Sequence, residues 1–264
     1  MTSEKYTSEM NGLWQDALER DLFPGDFIVE IGRFFLGAPY QAGTLETAGR
    51  EKLEINLAAF DCMTFVEIVL AAARCAAAGK LSPPQFQKEL KFIRYRQGKI
   101  DGYASRLHYF TDWLRDNEKK KVLKIVSRLL DGQPVRKKIN FMTAHRELYA
   151  ALHSKAAFEG MQKVEQALSR KTFYLIARDK VARRHSMIQQ GDIIAFVTDQ
   201  EGLDVVHAGF AVWQGRNLHL LHASSKAGAV VISRETLSAY LKENKKCTGV
   251  MIARFAPAGD LDRT

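Results

Sequence analysis

Cysteine is scarce in this sequence. The 264 residues hold only Cys62, Cys75 and Cys247, an odd number without a CxxC pair, which supports neither a disulfide framework nor a thiolate zinc site. If Cys62 and Cys75 share one helix, they stand about 20 Å apart at 1.5 Å per residue, too far to bridge. Long apolar runs are missing too. The longest apolar-leaning stretch, Phe65 to Ala78, is broken by Glu67 and Arg74 and is too short to span a bilayer, so no stable membrane insertion is expected. The first residues, MTSEKYTSEMNGLWQD, lack a basic start followed by an apolar segment, so no secretory signal is visible. The expectation is a cytoplasmic protein if the chain is complete, and a periplasmic or envelope protein if a signal was removed. No Pro/Gly/Ser linker, repeat or low-complexity segment divides the chain, which predicts a single domain over residues 1–264.

What is present is an ordinary globular composition, 46% hydrophobic and 26% charged, with a net charge of +9. That charge favours anionic partners, but the basic residues are scattered through NEKKKVLK, VRKK, ARRH and ENKK. No stripe interleaves them with aromatics and no nucleic-acid motif accompanies them, so nucleic acid is not the expected partner.

The hydrophobic period divides the chain. Up to about residue 171 it is mostly helical: SEMNGLWQDALERDL, DFIVEIGRFFLG, FDCMTFVEIVLAAARCAAAG, SRLHYFTDWLRDN, FMTAHRELYAALH and AFEGMQKVEQALSRK. LSPPQFQKELKFIRYRQG carries Ser82 as N-cap, Pro83 at the first helical position and Gly98 as stop. KVLKIVSRLL fits helix and strand equally. From residue 172 to about 256 the period is two, in FYLIA, GDIIAFVT, DVVHAGFAVW, LHLLHAS, AVVIS and GVMIARF, with one helix, RETLSAYLKEN, among them. Helices first and an antiparallel sheet second predict an α+β fold.

Chemistry has one candidate nucleophile. Cys62 falls at the first turn of an apolar helix, where unpaired N–H groups favour a thiolate; the alternative is a small core hydrophobe. The base must come from elsewhere. In DVVHAGFAV, alternation sets His207 with Gly209 and Ala211, and Val206, Ala208, Phe210 and Val212 on the opposite face. A two-residue turn at Gly215–Arg216 pairs Gln214 with Asn217 and brings His222 opposite Gly209, diagonal to His207, while His219 points away. A thiol at a helix start and two imidazoles on one strand pair follow the logic of nucleophile, base and orienter. A metal site would need further ligands, and Asp204 has the wrong parity, so neither metal nor other cofactor is expected.

With these pieces in order, the sequence resembles the NlpC-type cell-wall hydrolases of the papain-like superfamily. The motifs are GAPYQAG (37–43), FDCMTFVE (60–67), QQGDIIAFV (189–197), VVHAGFAV (205–212) and LLHASS (220–225). A long insert over residues 81–171, between a nucleophile part (30–80) and a sheet part (172–256), is similar to a branch of N-acetylmuramoyl-L-alanine amidases. The resemblance implies a papain-like fold, with Cys62 as nucleophile, its pKa lowered by the helix end and His207. It implies His207 as base and then acid, His222 as orienter, and Tyr40 with the Cys62 N–H for the oxyanion. It implies a peptidoglycan or muropeptide substrate, which also suits the basic charge. Asp61 would hold a stem-peptide amine or simply cap the helix, and Met63 replaces the serine usual in endopeptidase relatives. Ser224 and Ser225 would contact substrate. Arg106, His108 and Thr143 of the insert would line a cleft, whereas Trp113 and Phe141 read as core. A D-γ-glutamyl–diamino acid endopeptidase and a catalytically silent muropeptide-binding module stand as the alternatives.

Overall fold

In Pro24–Phe34 apolar residues recur every three to four positions, and the segment folds as helix α1, burying Phe27, Ile28 and Ile31. The computed structural model describes residues 24–47, 49–79 and 82–256. The helix expected over residues 8–22 lies outside them. Helix α2, Cys62–Ala77, is buried on almost every side, which explains its nearly unbroken apolar sequence. Helix α3, Pro83–Arg94, starts as its sequence predicts, with the Ser82 side chain accepting from the Gln85 N–H and proline in the first turn. It stops before Gly98, at Tyr95. Arg94 and Glu67 then form a buried ion pair at 2.6 Å, each side chain 2% exposed, tying α3 to α2.

Helix α4, Phe110–Lys119, begins later than SRLHYFTDWLRDN suggests. The preceding residues are held extended by other partners: Arg106 bridges Tyr95, and the Leu107 N–H donates to the Arg94 carbonyl. KVLKIVSRLL resolves into strand β1, Leu123–Ile125, followed by a turn. Strand β2, Gln133–Val135, has no signal in the sequence; it contains Pro134 and accordingly sits at the edge of the sheet. The segment 81–171 is therefore not purely helical, since it supplies two strands. FMTAHRELYAALH is likewise not one helix but α5, Phe141–Ala144, and two 3-10 turns. Its apolar period is only half used, with Leu152 buried and Leu148 62% exposed. Helix α6, Lys155–Ser169, follows.

The six expected strands and the expected helix follow, together with one short helix, α7, that the sequence did not predict: β3 (Phe173–Ala177), α7 (Val181–Arg184), β4 (Ile193–Thr198), β5 (Val205–Gln214), β6 (Asn217–Ser224), β7 (Ala229–Ile232), α8 (Leu237–Glu243) and β8 (Cys247–Phe255). The strands form one antiparallel sheet of eight, in the order β2-β3-β8-β4-β5-β6-β7, with β1 also paired to β8. One face packs on α1 and α2 through Ala195, Phe210, Val212 and Leu221. The other packs Phe196, Ala211 and Leu220 on Leu237 and Leu241 of α8. Burying each such Leu or Phe is worth about 1.5–3 kcal/mol. A third, separate cluster of Tyr103, Tyr109, Met142, Leu152 and Met161 gives the insert a core of its own. The fold is α+β.

Candidate active site

Asp61 is the last extended residue before α2. Its carboxylate accepts from the Thr64 N–H at 2.7 Å while Thr64 Oγ1 accepts from the Asp61 N–H at 2.9 Å. This reciprocal capping box fixes where the helix starts, and so where Cys62 sits. The backbone N–H groups of Cys62, Met63 and Ala208 are directed at the Cys62 sulfur, each favouring the thiolate. Burial and the neighbouring Asp61 carboxylate oppose them and prevail, pushing the thiol up to about 12. The expected lowering of this pKa is therefore corrected: the helix end acts in the expected direction, but the site is too dry for it to win. Cys62 is partly exposed, whereas Cys75 and Cys247 are buried, and all three are free thiols.

The imidazoles come from the β5–β6 hairpin. Gln214 pairs with Asn217 and Phe210 with Leu221, a register that continues to Gly209 opposite His222. Gly215 takes the positive φ, 59°, that the turn requires. At Gly209 a Cβ would lie 2.8 Å from His222 Cβ and 2.7 Å from the Leu221 carbonyl oxygen, so only glycine leaves room for that ring. His207 Nε2 and His222 Nδ1 lie 2.6 Å apart, with the ring planes at 78°. His219 turns away, its Nδ1 2.9 Å from the Ser233 carbonyl oxygen.

One detail of the alternation differs. Val206 is 37% exposed, and Val205 takes its expected place against the α2 core. The cause is a one-residue slip between β4 and β5 at Phe196 and Val197, a bulge beside His207. It leaves the His207 ring against Phe196 and Tyr240, and Tyr240 also touches His222 edge-on. Burial, reinforced by His222, brings His207 down to about 3. Burial brings His222 down to about 4, against the pull of the Glu235 carboxylate. Burial thus favours the neutral form of the thiol and of both imidazoles.

Tyr40 is carried to the same place by a parallel bridge to Phe60 and by the Gln41 N–H donating to the Phe60 carbonyl. Burial first, then Cys62 and Asp61, raise its pKa. Ser224 and Ser225 line, with His222 and Tyr240, a cavity of about 600 Å³. The Ser224 hydroxyl is already engaged, accepting from the Ala227 N–H at 3.1 Å.

The insert residues already have partners within the protein. Arg106 pairs with Glu46 at 2.7 Å and Glu51 at 3.1 Å. His108 Nε2 meets the Tyr103 carbonyl oxygen at 2.9 Å, and Thr143 holds the buried Glu165 carboxylate together with Tyr109. Trp113 is fully buried and Phe141 packs on the insert core. Asp204 is buried as well, accepting from the Thr111 N–H and Oγ1 at 2.7 Å each and so docking the start of β5 on α4. Two residues at the site have no signal in the sequence. Tyr240 and Glu235 belong to the α8 region, and only the tertiary fold brings that region over the imidazoles. Among the described residues no group of three or more His, Cys, Asp or Glu side chains is placed to hold a metal ion, and no helix is long and apolar enough to cross a membrane.

Residues 30–250 match a family described as AmiA-like, N-acetylmuramoyl-L-alanine amidase-like. Among solved structures, an N-acetylmuramoyl-L-alanine amidase from Bacteroides uniformis is 40% identical, with a TM-score of 0.84, over 88% of this chain and 98% of that one. A Bacteroides fragilis protein provisionally named a xylanase is 41% identical, with a TM-score of 0.82, over 86% of this chain and 99% of that one. A Legionella pneumophila protein, 23% identical over 96% of this chain and 95% of that one, shares the fold with a TM-score of 0.70. A comparison with curated proteins finds no match.

Proposed function

The chain belongs to the N-acetylmuramoyl-L-alanine amidase-like family, and from that premise we propose that it is a cysteine amidase of the papain-like, NlpC type that cuts the amide bond between N-acetylmuramic acid and L-alanine in peptidoglycan fragments. The observation that carries the chemistry is the 2.6 Å contact of His207 Nε2 with His222 Nδ1, on the strand whose Ala208 N–H is directed at the Cys62 sulfur. For His207 to act as a base its Nδ1 must be free of hydrogen. The proton then sits on Nε2 and is donated to His222 Nδ1, which leaves the His222 proton on its own Nε2.

Since the resting thiol is neutral, attack and proton transfer go together. Cys62 Sγ adds to the lactyl carbonyl as His207 takes its proton, and His222 accepts a hydrogen bond from the imidazolium so formed. The developing oxyanion takes the Cys62 N–H and the Tyr40 hydroxyl. Collapse breaks the C–N bond, His207 gives its proton to the leaving alanine nitrogen, and a thioester remains on Cys62. Water, deprotonated by His207, then releases the muramoyl acid and restores the thiol. Asp61 acts as the helix cap in this reading, in keeping with Met63 and with a substrate that has no free amine on the acyl side. A glycosidase would ask instead for a pair of carboxylates flanking the bond.

The test is product analysis by mass spectrometry. A disaccharide-tetrapeptide should give free disaccharide and intact tetrapeptide, and free tetrapeptide should be left untouched. Release of an L-Ala–D-Glu dipeptide would establish the endopeptidase alternative. No hydrolysis at all by folded protein would favour a silent binding module.

A further inference from the structure

His207 and His222 belong to a cluster of four rings. Phe196 of β4 lies 5.6 Å from the His207 ring centre, and Tyr240 of α8 lies 5.2 Å from Phe196, 6.3 Å from His207 and 5.6 Å from His222. Tyr240 therefore meets each of the other three, and it is the one ring of the four that the sheet does not carry. It lies close to parallel with His207, at 29°, and edge-on to His222, at 85°, both arrangements that aromatic rings favour. A single side chain thus covers both partners of the 2.6 Å hydrogen bond, and His222 beneath it is only 2% exposed.

The cover is anchored. Leu237 and Leu241, to either side of Tyr240 in the sequence, are fully buried in the second core, and the Thr236 side chain caps α8 by accepting from the Ala239 N–H. A helix of seven residues has little stability of its own, so this packing decides where its tyrosine stands. A hydrogen bond between two neutral imidazoles is worth little in water and more where water is kept away. We propose that Tyr240 is a positioning residue for the imidazole pair: its ring keeps water from the His207–His222 hydrogen bond and so holds His207 in the orientation that serves Cys62. The inference rests on the proposed role of His207 as base, but the cover itself is testable without substrate. The phenol hydroxyl has no part in it. Besides Tyr240, the titratable groups around the pair are Cys62 of α2, against the Ala208 N–H, and Glu235 ahead of α8, which favours the charged form of His222. Removing the Tyr240 ring leaves both in place and changes only the access of water. The sign follows: water stabilises imidazolium, so both histidines rise toward their ordinary value near 6.5.

The experiment compares Tyr240→Ala, Tyr240→Phe and Leu237→Val with the parent, circular dichroism checking that each is folded. Tyr240→Leu, which keeps an apolar side chain in α8, replaces Tyr240→Ala if that variant unfolds, with the same outcome expected. The first readout is NMR of protein carrying isotope-labelled histidine, which follows solvent exchange of the proton shared by the two imidazoles. Tyr240→Ala should speed this exchange about tenfold or more, and Tyr240→Phe, which keeps the ring, should restore the parent rate. The second is the pH profile of muropeptide hydrolysis. In Tyr240→Ala, kcat/KM should gain an acid limb near pH 6.5, with kcat about tenfold lower and KM within about twofold. Leu237→Val, which loosens α8 without removing a ring, should melt lower yet keep the parent exchange and profile. Exchange and profile unchanged in Tyr240→Ala overturn the proposal. So does a Tyr240→Phe protein as impaired as Tyr240→Ala, which would give the role to the hydroxyl. The expected exchange in a protein that hydrolyses no muropeptide would sink the amidase reading and leave the cover standing.

Discussion

Cys62 is held as a thiol by its surroundings, and this separates it from an enzyme that rests as a thiolate–imidazolium pair. With the thiol pushed up to about 12 and His207 down to about 3, nothing in the pair ionises across the neutral range. Between about pH 6 and 10, kcat/KM should therefore be flat, since that parameter reports ionisations of the free enzyme. Iodoacetamide, which needs the thiolate, should modify Cys62 about tenfold faster per pH unit over the same range. Alkylation independent of pH there would mean a resting ion pair and would refute the neutral state. Cys75 and Cys247 should lag throughout because both are buried. On the proposed roles, His207→Ala should lower kcat by about 10³-fold or more, and His222→Ala by about 10²-fold, as loss of an orienting partner does. His222→Asn, whose amide oxygen can accept from His207 Nε2, should recover part of the loss. His219→Ala should leave kcat within about threefold while lowering stability by about 1 kcal/mol through the lost bond to Ser233. Equal damage from His219→Ala and His207→Ala at unchanged stability would contradict the hairpin register.

At the scale of elements, the start of α2 joins a cap to a charge, and a single substitution separates them. Asn caps a helix as well as Asp does, so Asp61→Asn should keep the melting temperature within a degree or two. It removes a carboxylate that raises the Cys62 pKa, so alkylation at pH 8 should accelerate. Asp61→Ala should lose about 1 kcal/mol as well, because the Thr64 N–H loses its acceptor. An Asp61→Asn protein alkylated no faster than the parent would show that the charge does not reach the sulfur. What the sequence disclosed at this scale depended on whether neighbours in the chain were neighbours in space. The β5–β6 register and the pairing of His207 with His222 were legible because a two-residue turn and strict alternation decide them. Val206 was misplaced because a bulge belongs to two strands at once and leaves no mark in either. Strands β1 and β2, three residues each, carry too few side chains for a period and exist only because β8 and β3 pair with them. Arg106 and Thr143 read as exposed polar residues in a cleft, yet their partners Glu46, Glu51 and Glu165 are brought to them by the tertiary fold. The dryness that reverses the expected pKa of Cys62 is likewise a property of packing, invisible in the local sequence.

For the whole molecule, the buried imidazoles couple folding to pH. His207 and His222 are neutral in the fold down to about pH 3 and 4, and His108 is also held well below its ordinary value, chiefly by burial. In the unfolded chain each takes up a proton near pH 6.5. Below that value the unfolded state binds more protons than the native one, so stability falls as pH falls. The loss approaches about 1.4 kcal/mol per pH unit for each histidine, and ends where the folded pKa is reached. Against a total stability on the order of 5–15 kcal/mol, three such groups make mild acid a serious stress. Buried Asp192 and Asp204, whose pKa values are raised by burial, act in the opposite sense and soften the decline. A comparison that cancels them uses the His207→Gln, His222→Gln double variant, which keeps the carboxylates and removes two of the three imidazoles. Thermal melts from pH 7.5 to 5 should show the parent losing melting temperature faster than the double variant, the two curves converging toward acid. Parallel curves would mean that the imidazoles take up their protons in the fold at the same pH as in the unfolded chain. The acid branch of the activity profile, measured below about pH 6, should then follow this unfolding rather than the titration of His207, the proposed base.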